Sequence, residues 1–481
     1  MSQKILIPSI QGGPFSKVNR MIDFDIINDG SFCDMTQSYA QLICEISSTT
    51  PGVHNLGVQF TPDAGQAFYN VDLVRNCSLS NDKNGRLEDL REIGFMSHTM
   101  NEYTKSTSQK YSEIYSLHNK FSPEGSKYSP FIEMRKEGSY PSRNIQAHLR
   151  IPMTQLFSIG ALKQYPLGDM GKTRVHLELD DVSTTRITPV WINLFSQNPP
   201  NLADMPAGGS NQFTLSTVYT TLQSVPVYVG MPIKIMQSTT LRLTTVITSI
   251  SYSQLTGIAT FTTESPLPAV APPIINNNGL TLEGVQPQNL VFTVVQANLG
   301  LVVSQTGPKM DVLEYTTYTT EQSTVNATSW QKVYEVEPTC QNLFVLSKHS
   351  DCLYSKQSLL KSYRIRIDGS DVVDRDIEIN YGDLGGNGFL QKRVRSPLYY
   401  DLIYKTLMNA DIQLKSLSEN PQNVSEITVN AQFNEPKTLL ICSPTPQTEQ
   451  YKQVQINLNG SDNDEIKTLI LYKQVVKQIK V

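Results

Sequence analysis

The chain has 481 residues, which is enough for two to four domains that each bury a core. Charged residues make up 17%, below the ~25% usual for soluble domains, and 40 basic against 44 acidic residues leave a net charge of −4. This balance is not that of a nucleic-acid-coating protein, and we predict no sequence-specific nucleic-acid partner. The longest apolar candidate, NLVFTVVQANLGLVV, is interrupted by Gln296 and Asn298 and is too short to cross a membrane. The start, MSQKILIPSIQGG, is not typical of a secretory signal, so we expect synthesis in the cytosol or nucleus.

Residues 1 to 17 contain Gly12, Gly13 and Pro14 and no sustained periodicity. They predict an extended N-terminal arm with a weak strand at KILIPSI, an element that often contacts a partner. The next segment, MIDFDII, alternates strictly and places Ile22, Phe24 and Ile26 on one face. That alternation predicts a strand with one buried face.

The strongest helical signal follows the strand around FYNVDLVRNCSLS. Apolar residues recur at spacings of three and four from Leu87 to Tyr103, which predicts a helix beginning at Gly85. Asn84 or Asp82 would cap it, and Glu88 and Asp89 would lie in its first turn. A second helix is predicted around residues 111–118 and a surface loop over residues 120–143. Strands follow at NIQAHLRIP, which Pro152 ends, and at TRVHLELD.

Residues 205 to 300 form a predicted insertion of β-strands on a loop of the first unit. Its strands are VPVYVGMPIKI, LTTVITSISYSQ and GIATFTTE, with Thr256 and Gly257 in a hairpin turn. NLVFTVVQANLGLVV then returns the chain to a sheet.

The second half repeats the order of the first, with paired strands, a helix and a final run of strands. Its segments are DVLEYTTYTTEQSTV, WQKVYEVEPTCQNLFVLS, SYRIRIDGSDVVDRDIEI, the helix PLYYDLIYKTLMNA, SEITVNAQF, KTLLICSPT, KQVQINLN and IKTLILYKQVVKQI. We therefore predict an all-β protein of two tandem eight-stranded β-sandwiches with short helices and an inserted β-rich domain. The predicted divisions are 1–17 for the arm, 18–310 for the first unit and 311–481 for the second. A last strand this near the terminus predicts that truncation harms folding.

No catalytic motif is present, and we predict no enzyme, no catalytic or metal site and no cofactor. The acids of DGSDVVDRDIE (Asp368, Asp371, Asp374 and Asp376) do not match a calcium loop and predict a hairpin turn with solvated acids. NGSDNDE and the glycine-rich run Gly382–Gly388 are interpreted as surface turns. The six cysteines are interpreted as reduced core residues, and the six scattered histidines as satisfied or solvated. Lys392, Arg393, Arg395, Arg364 and Arg366 form the main basic concentration, which we interpret as a solvated or subunit-facing patch, with genome contact as the alternative.

Three segments resemble the major capsid proteins of polinton-like viruses and virophages, in the double jelly-roll lineage that includes adenoviruses and nucleocytoplasmic large DNA viruses. They are VDLVRNCSLSNDKNGRLEDLREI, HLRIPMTQLFSIGALKQYPLGDMGKTRVHLELD, and YRIRIDGSDVVDRDIEI leading to PLYYDLIYKTLMNA. The resemblance covers residues 20 to 185 and 310 to 481.

The resemblance implies a double jelly roll and a structural role in an icosahedral virion assembled in the host cytoplasm or nucleus. Expected partners are two further copies in a pseudo-hexagonal homotrimer, neighbouring capsomers, penton and other minor capsid proteins, and an internal membrane where the virion has one. The strand-connecting loops at one end, including the insertion at 205–300, are expected to face outward, and the arm and the basic residues Lys473, Lys477 and Lys480 inward. Three alternatives stay open: a carbohydrate-binding or adhesin-type sandwich, a minor capsid protein, and a β-sandwich glycosidase with paired carboxylates.

Overall fold

The structure is a computed structural model. It describes residues 2–16, 18–27, 31–48, 58–60, 69–105, 109, 144–180, 187–189, 191–193, 211–214, 229, 231–237, 240–266, 280–285, 290–305, 307, 310–325, 329–348, 361–384, 392–395, 397–412, 440–446, 449–459 and 468–481. The predicted second helix near residue 111, the loop at 120–143 and the segment SEITVNAQF lie outside the described residues. Within the described part of the chain, no helix has the length and apolar character needed to span a membrane.

Strands dominate the described chain. Before residue 311 they are β1 (Ser2–Pro8), β2 (Met21–Ile26), β3 (Phe32–Ser48), β4 (Val58–Phe60), β5 (Val74–Asn81), β6 (Gly85–Leu90), β7 (Asn144–Pro152), β8 (Thr173–Leu179), β9 (Ile187–Pro189), β10 (Trp191–Asn193), β11 (Gln212–Thr214), β12 (Pro232–Gln237), β13 (Thr240–Tyr252), β14 (Ala259–Thr263), β15 (Leu280–Val285) and β16 (Leu290–Ser304). After it they are β17 (Val312–Thr324), β18 (Ser329–Val336), β19 (Cys340–Lys348), β20 (Ser362–Ile367), β21 (Ser370–Asp371), β22 (Ile377–Glu378), β23 (Asn380–Leu384), β24 (Lys392–Arg395), β25 (Leu440–Pro444), β26 (Lys452–Asn459) and β27 (Thr468–Lys480).

Two sandwiches with the same strand order are built from these strands. The first has the sheets β1-β16-β3-β7 and β2-β8-β5-β6, and the second has β17-β27-β19-β25 and β18-β26-β20-β21, with the two-residue strand β22 also paired to β20. When β22 is left aside and the eight strands named for each sandwich are numbered in chain order, both sandwiches read 1-8-3-6 in one sheet and 2-7-4-5 in the other. Eight antiparallel strands in two interleaved sheets are the arrangement of a jelly roll. The predicted fold class, two tandem jelly rolls in an all-β chain, is confirmed.

Alternation along the strands explains why each sheet buries one face. Ile22, Phe24 and Ile26 of β2 are all buried, as the sequence predicts. β26 follows the same rule, with Val454 and Ile456 inward and the residues between them facing outward or half-buried. Because successive strand side chains point to opposite faces, such a pattern fixes the register of each strand against its core.

The N-terminal residues are part of the first sandwich. The predicted weak strand is confirmed as β1, which pairs with β16 over its whole length from Ser2 to Pro8. Phe15 is also fully buried, and its backbone exchanges hydrogen bonds with Val294. β1 is therefore an edge strand of this sheet, with β16 supplying its hydrogen-bond partners, and the division of residues 1–17 as an arm stays a prediction.

The predicted start of the first helix is wrong. Gly85–Leu90 is strand β6, paired with β5, and the first-half helix is Ile93–Thr104. Gly85 adopts φ +69°, which ends a turn, and the N–H of Asn84 donates to Asn81 Oδ1 at 2.6 Å. The spacing of three between Leu87 and Leu90 is helical and does not match the alternation of a strand, but β5 offers backbone hydrogen bonds to this segment, so tertiary pairing overrode the local pattern. Glu92, not Asn84 or Asp82, occupies the N-cap position.

Three further sheets are described: one of six strands and the two-stranded pairs β4-β9 and β23-β24. A six-stranded sheet of order β10-β15-β12-β13-β14-β11 forms the insertion, and β13 and β14 make its predicted hairpin with Gly257 at φ +66° in the loop. The described strands of this sheet run from Trp191 to Val285, and β16 belongs to the first sandwich. The predicted divisions of the chain into domains stay predictions.

Two helices complete the described fold. The predicted helix of the second half is confirmed as Pro397–Asn409, which we call the second-half helix. The first-half helix contributes to both hydrophobic cores. Ile93 is buried in the core of the first sandwich, whereas Phe95, Met96 and Tyr103 are buried in the core of the second. In return, Leu313 and Tyr315 of β17 are buried in the first core, so the two sandwiches interlock.

Candidate functional site

The acidic segment predicted as a hairpin turn is confirmed as one. Asp368 and Gly369 adopt φ +50° and +82° between β20 and β21. Asp371 is paired rather than solvated, because Arg364 donates to both of its carboxylate oxygens at 2.8 and 2.7 Å and Arg366 Nε donates at 2.7 Å. These hydrogen bonds lower the pKa of Asp371 to about 2. Among the described residues, no group of three or more His, Cys, Asp or Glu side chains could hold a metal ion.

The remaining sequence candidates are spread over the fold. Lys392–Arg395 forms β24, whose side chains lie outside the described residues, as do residues 385–391 of the glycine-rich region. The expected basic patch therefore stays a prediction. NGSDNDE falls outside the described residues beyond Asn459.

Histidines and cysteines in the described chain are mostly engaged. The buried His98 contacts Asp72 at 3.0 Å, and His176 contacts Asp23 at 2.5 Å. The five described cysteines are buried and free: Cys33, Cys44, Cys77, Cys340 and Cys442. Burial raises the pKa of the Cys442 thiol to about 12, so it stays neutral. The interpretation of these cysteines as core residues is confirmed.

The densest set of polar contacts joins the two sandwiches. We call residues 84–103, from the end of the β5–β6 turn to the first-half helix, the junction segment. Its backbone and side chains receive hydrogen bonds from the second sandwich. Tyr315 donates to the carbonyl of Leu87 at 3.1 Å, Tyr472 donates to the carbonyls of Arg91 and Glu92 at 3.0 Å each, and Tyr103 Oη lies 3.0 Å from Tyr399 Oη.

Glu92 is the charged centre of this segment. Its backbone is left-handed, with φ 53°, and its N–H donates to Asn76 Oδ1 at 2.9 Å. Its carboxylate is 6% exposed and pairs with Arg75 of the first sandwich at 2.9 Å and with Lys348 of the second at 2.5 Å. Removing either cation would leave an uncompensated buried charge, so the carboxylate of Glu92 holds Arg75 and Lys348 in place and thereby links the two sandwiches.

Glu88 lies in the same segment and is 2% exposed. It accepts the backbone N–H groups of Ser158 and Ile159 at 3.0 and 3.1 Å. Burial raises the pKa of Glu88 to about 7, although those hydrogen bonds act in the opposite direction. The sequence pattern predicts Glu88 in the first turn of a helix, whereas the structure places it in β6 with a buried side chain. No signal in the sequence marks this carboxylate as buried.

The basic residues of the last strand are not all free to face a partner. Lys473 is 7% exposed, pairs with Glu321, and donates to the carbonyl of Glu335 at 3.0 Å. Lys473 is therefore held by acceptors of its own chain, and the expected inward position of the three lysines stays a prediction. A buried ammonium is retained inside a sheet only when acceptors such as these surround it.

Substituting Tyr472→Phe should lower the free energy of unfolding by ~1–3 kcal/mol, because the buried carbonyl of Glu92 and the partly buried carbonyl of Arg91 lose the hydroxyl that they share. Burial raises the pKa of Tyr472 well above its usual range, so the hydroxyl remains a donor at every working pH. Urea unfolding of the two proteins measures the difference. Tyr451→Phe is the matched control, since Tyr451 is 63% exposed, and a change below ~0.5 kcal/mol is expected for it. Equal effects of the two substitutions would contradict the role given to Tyr472.

The fold and the junction together define a class: a double jelly-roll protein whose two sandwiches are held as one block. No protein-family model and no curated protein matches the sequence.

The chain is similar in structure to viral major capsid proteins. The Faustovirus major capsid protein is 9% identical, with 100% of this chain and 90% of that chain covered at a TM-score of 0.47. VP54 of PBCV-1, fitted into a reconstruction of the virophage Sputnik, is 8% identical, with coverages of 100% and 95% and a TM-score of 0.42. The mavirus major capsid protein is 8% identical, with coverages of 98% and 86% and a TM-score of 0.34. With identities and TM-scores this low, the strand order of the two sandwiches remains the basis of the fold assignment.

Proposed function

We propose that this chain is the major capsid protein of an icosahedral virus and has a structural, non-enzymatic role. The observation that carries the proposal is the repeated strand order 1-8-3-6 and 2-7-4-5 in two sandwiches of a single chain. A chain that contains two sandwiches of similar shape can serve as a subunit of a regular shell without any catalytic or ligand-binding site.

Symmetry explains what such duplication achieves. Three copies around a threefold axis bring six similar sandwiches together, so the trimer has a nearly hexagonal outline and can tile a flat facet. The outline is regular only if the two sandwiches of each chain keep one relative orientation. The interlocked cores and the contacts of Glu92 and Tyr472 support this requirement.

The finer proposals concern partners and location. The protein resides in the virion shell, contacts neighbouring trimers, penton and other minor capsid proteins, and faces an internal membrane where the virion has one. The insertion between β8 and β16 faces outward, since it projects from a loop between two strands of the first sandwich. Contacts between copies in an obligate assembly of this kind bury on the order of 2,000 Å² or more.

Purified protein should form a stable trimer in solution, which we expect because the proposed capsomer is an obligate assembly. Light scattering after gel filtration measures the mass, over a hundredfold range of concentration, and electron microscopy of concentrated trimers checks for a hexagonal outline and sheet-like arrays.

Other outcomes would favour the rival functions. A monomer that binds glycans on an array would support an adhesin-type protein, a pentamer would support a minor capsid protein, and release of reducing sugar from polysaccharides would support a glycosidase. A monomer at every concentration would contradict the proposed capsomer.

A further inference from the structure

The contact between the two sandwiches of this chain joins two unlike sides. β17 packs against β6 and against Ser158–Ala161, and Tyr315 of β17 donates to the carbonyl of Leu87 in β6. In the numbering used for the strand order, strand 1 of the second sandwich meets strand 5 of the first and the segment that follows its strand 6. The strand-1 side of the first sandwich and the strand-5/6 side of the second are left over from this pairing.

Strand register identifies matching positions in the two sandwiches. A row of directly paired residues crosses each four-stranded sheet and ends on a proline, and the row two residues further along keeps the same register in both sheets. The rows of the first sandwich are Leu6, Gly300, Tyr39 and Pro152, and then Pro8, Asn298, Gln41 and Arg150. The rows of the second are Tyr318, Gln474, Asn342 and Pro444, and then Thr320, Tyr472, Phe344 and Cys442. Leu6 is therefore the counterpart of Tyr318.

These matching positions have opposite environments. Tyr318 packs against the hydrophobic cores of both sandwiches and lines a cleft of about 390 Å³ between them. Leu6 is 56% exposed, and Ile10, just beyond β1, is 54% exposed. The next row repeats the contrast, since Phe344 is fully buried whereas its counterpart Gln41 is half-buried. The strand-1 side is therefore covered in the second sandwich, where the first packs on it, and exposed in the first.

The strand-5/6 side shows the same contrast with the sandwiches exchanged. In the first sandwich, the helix that follows strand 5 buries Phe95 and Met96 in the core of the second sandwich. The second-half helix has the same place in the chain order and packs on β25 and β22, at the strand-5/6 edge of its sandwich. Its Tyr404 and Met408 are 50% and 53% exposed. A spacing of four residues places these two side chains next to each other on one face of the helix.

A second copy of this chain has the surface that each of these exposed sides lacks. Single exposed apolar residues are common on protein surfaces. The four named above, however, lie on the two sides that the pairing within the chain leaves over. A strand-5/6 side already packs on a strand-1 side within the chain, so the same kind of contact is available between chains.

We propose that Leu6 and Ile10 of one copy pack against Tyr404 and Met408 of the next, in a contact between chains that repeats the contact between the sandwiches of each chain. This contact depends on the capsomer role proposed above and specifies which surfaces meet in it. Because unlike sides meet, the contact is heterologous, and successive copies close into a ring when the rotation allows it. A step of about 60° from each sandwich to the next closes the ring at six sandwiches, that is, at three copies.

Opposite charges on the two surfaces test this pairing. Leu6→Glu and Met408→Lys each place an unpaired charge in all three contacts of a trimer. Each should raise the concentration at which half of the trimers dissociate by about tenfold or more, measured by light scattering over a dilution series. In the double variant Leu6→Glu/Met408→Lys, every contact joins a glutamate to a lysine, so most of the lost stability of the trimer should return.

Two controls separate assembly from folding. Both substituted side chains are about half exposed, so the far-UV circular dichroism spectra of the variants should match that of the wild type. Leu255→Glu changes a side chain that is 99% exposed, in the loop between β13 and β14, and should leave the trimer unchanged.

The possible results distinguish this contact from the capsomer role itself. A trimeric wild type that neither single substitution weakens would overturn the proposed contact and leave the capsomer role standing, as would a double variant no more stable than the single ones. A wild type that is monomeric at every concentration would overturn both. Cross-linking of Leu6→Cys/Met408→Cys with a bismaleimide should give covalent dimers and trimers that neither single cysteine variant gives, and their absence would also overturn the contact.

Discussion

A chain that lacks residues 468–481 should fail to fold its second sandwich. These residues form β27, which pairs with β17 on one side and β19 on the other, at the centre of its sheet. Leu469, Ile470, Leu471, Tyr472 and Val475 are all essentially unexposed. At ~1.5–3 kcal/mol for each buried large side chain, their loss is comparable to the ~5–15 kcal/mol that stabilises a typical domain. Limited proteolysis and soluble yield should both report the loss.

Removal of residues 1–8 is the matched control for this truncation. It deletes β1, which lies at the edge of its sheet and, among the described strands, pairs with β16 alone. Leu6 of this strand is 56% exposed, so less apolar burial is lost. The shortened chain should remain soluble and resistant to protease, with lower stability. If both truncations were equally damaging, the central position of β27 would not be the reason for its importance.

The second large effect is a pH dependence of stability that comes from Glu88. Its pKa is about 7 in the folded protein, above the ordinary value of 4.5 for a glutamate, so the folded state binds the proton more tightly. The favourable contribution is complete below pH 4.5, decreases as pH rises, and is lost above pH 7. The difference corresponds to about 3 kcal/mol of unfolding free energy between pH 5 and pH 8. Urea unfolding at a series of pH values measures it.

The variant Glu88→Gln isolates this contribution. It cannot ionise, so the difference in stability between wild type and variant should change across this pH range by the amount given for Glu88. Subtracting the free energy of unfolding of the variant from that of the wild type at each pH cancels the titration of every other group. Glu264→Gln, at an exposed position of the insertion, should follow the wild-type profile. If the Glu88→Gln profile ran parallel to the wild type, the buried carboxylate would not be the titrating group.

Much of the fold could be predicted from local patterns, because one face of each strand must be buried. The alternation in MIDFDII, TRVHLELD and KQVQINLN predicts β2, β8 and β26. The repetition of the same order of elements in the two halves of the chain predicts two sandwiches. The cysteines follow the same logic, since the five described ones occupy buried strand positions.

The candidate site was much less visible in the sequence. Gly85–Leu90 has an apolar spacing that suits a helix, and only its pairing with β5 makes it a strand. Glu88 and Glu92 become buried because segments far away in the chain close over them, with Ile159, Lys348 and Tyr472 as their partners or neighbours.

The sequence by itself therefore determined the class of fold and its duplication, because hydrophobic periodicity is a local property of the chain. The tertiary structure alone decided the junction, the raised pKa of Glu88 and the cleft between the sandwiches. These depend on contacts between residues separated by up to several hundred positions, for which a single sequence carries no periodic signal.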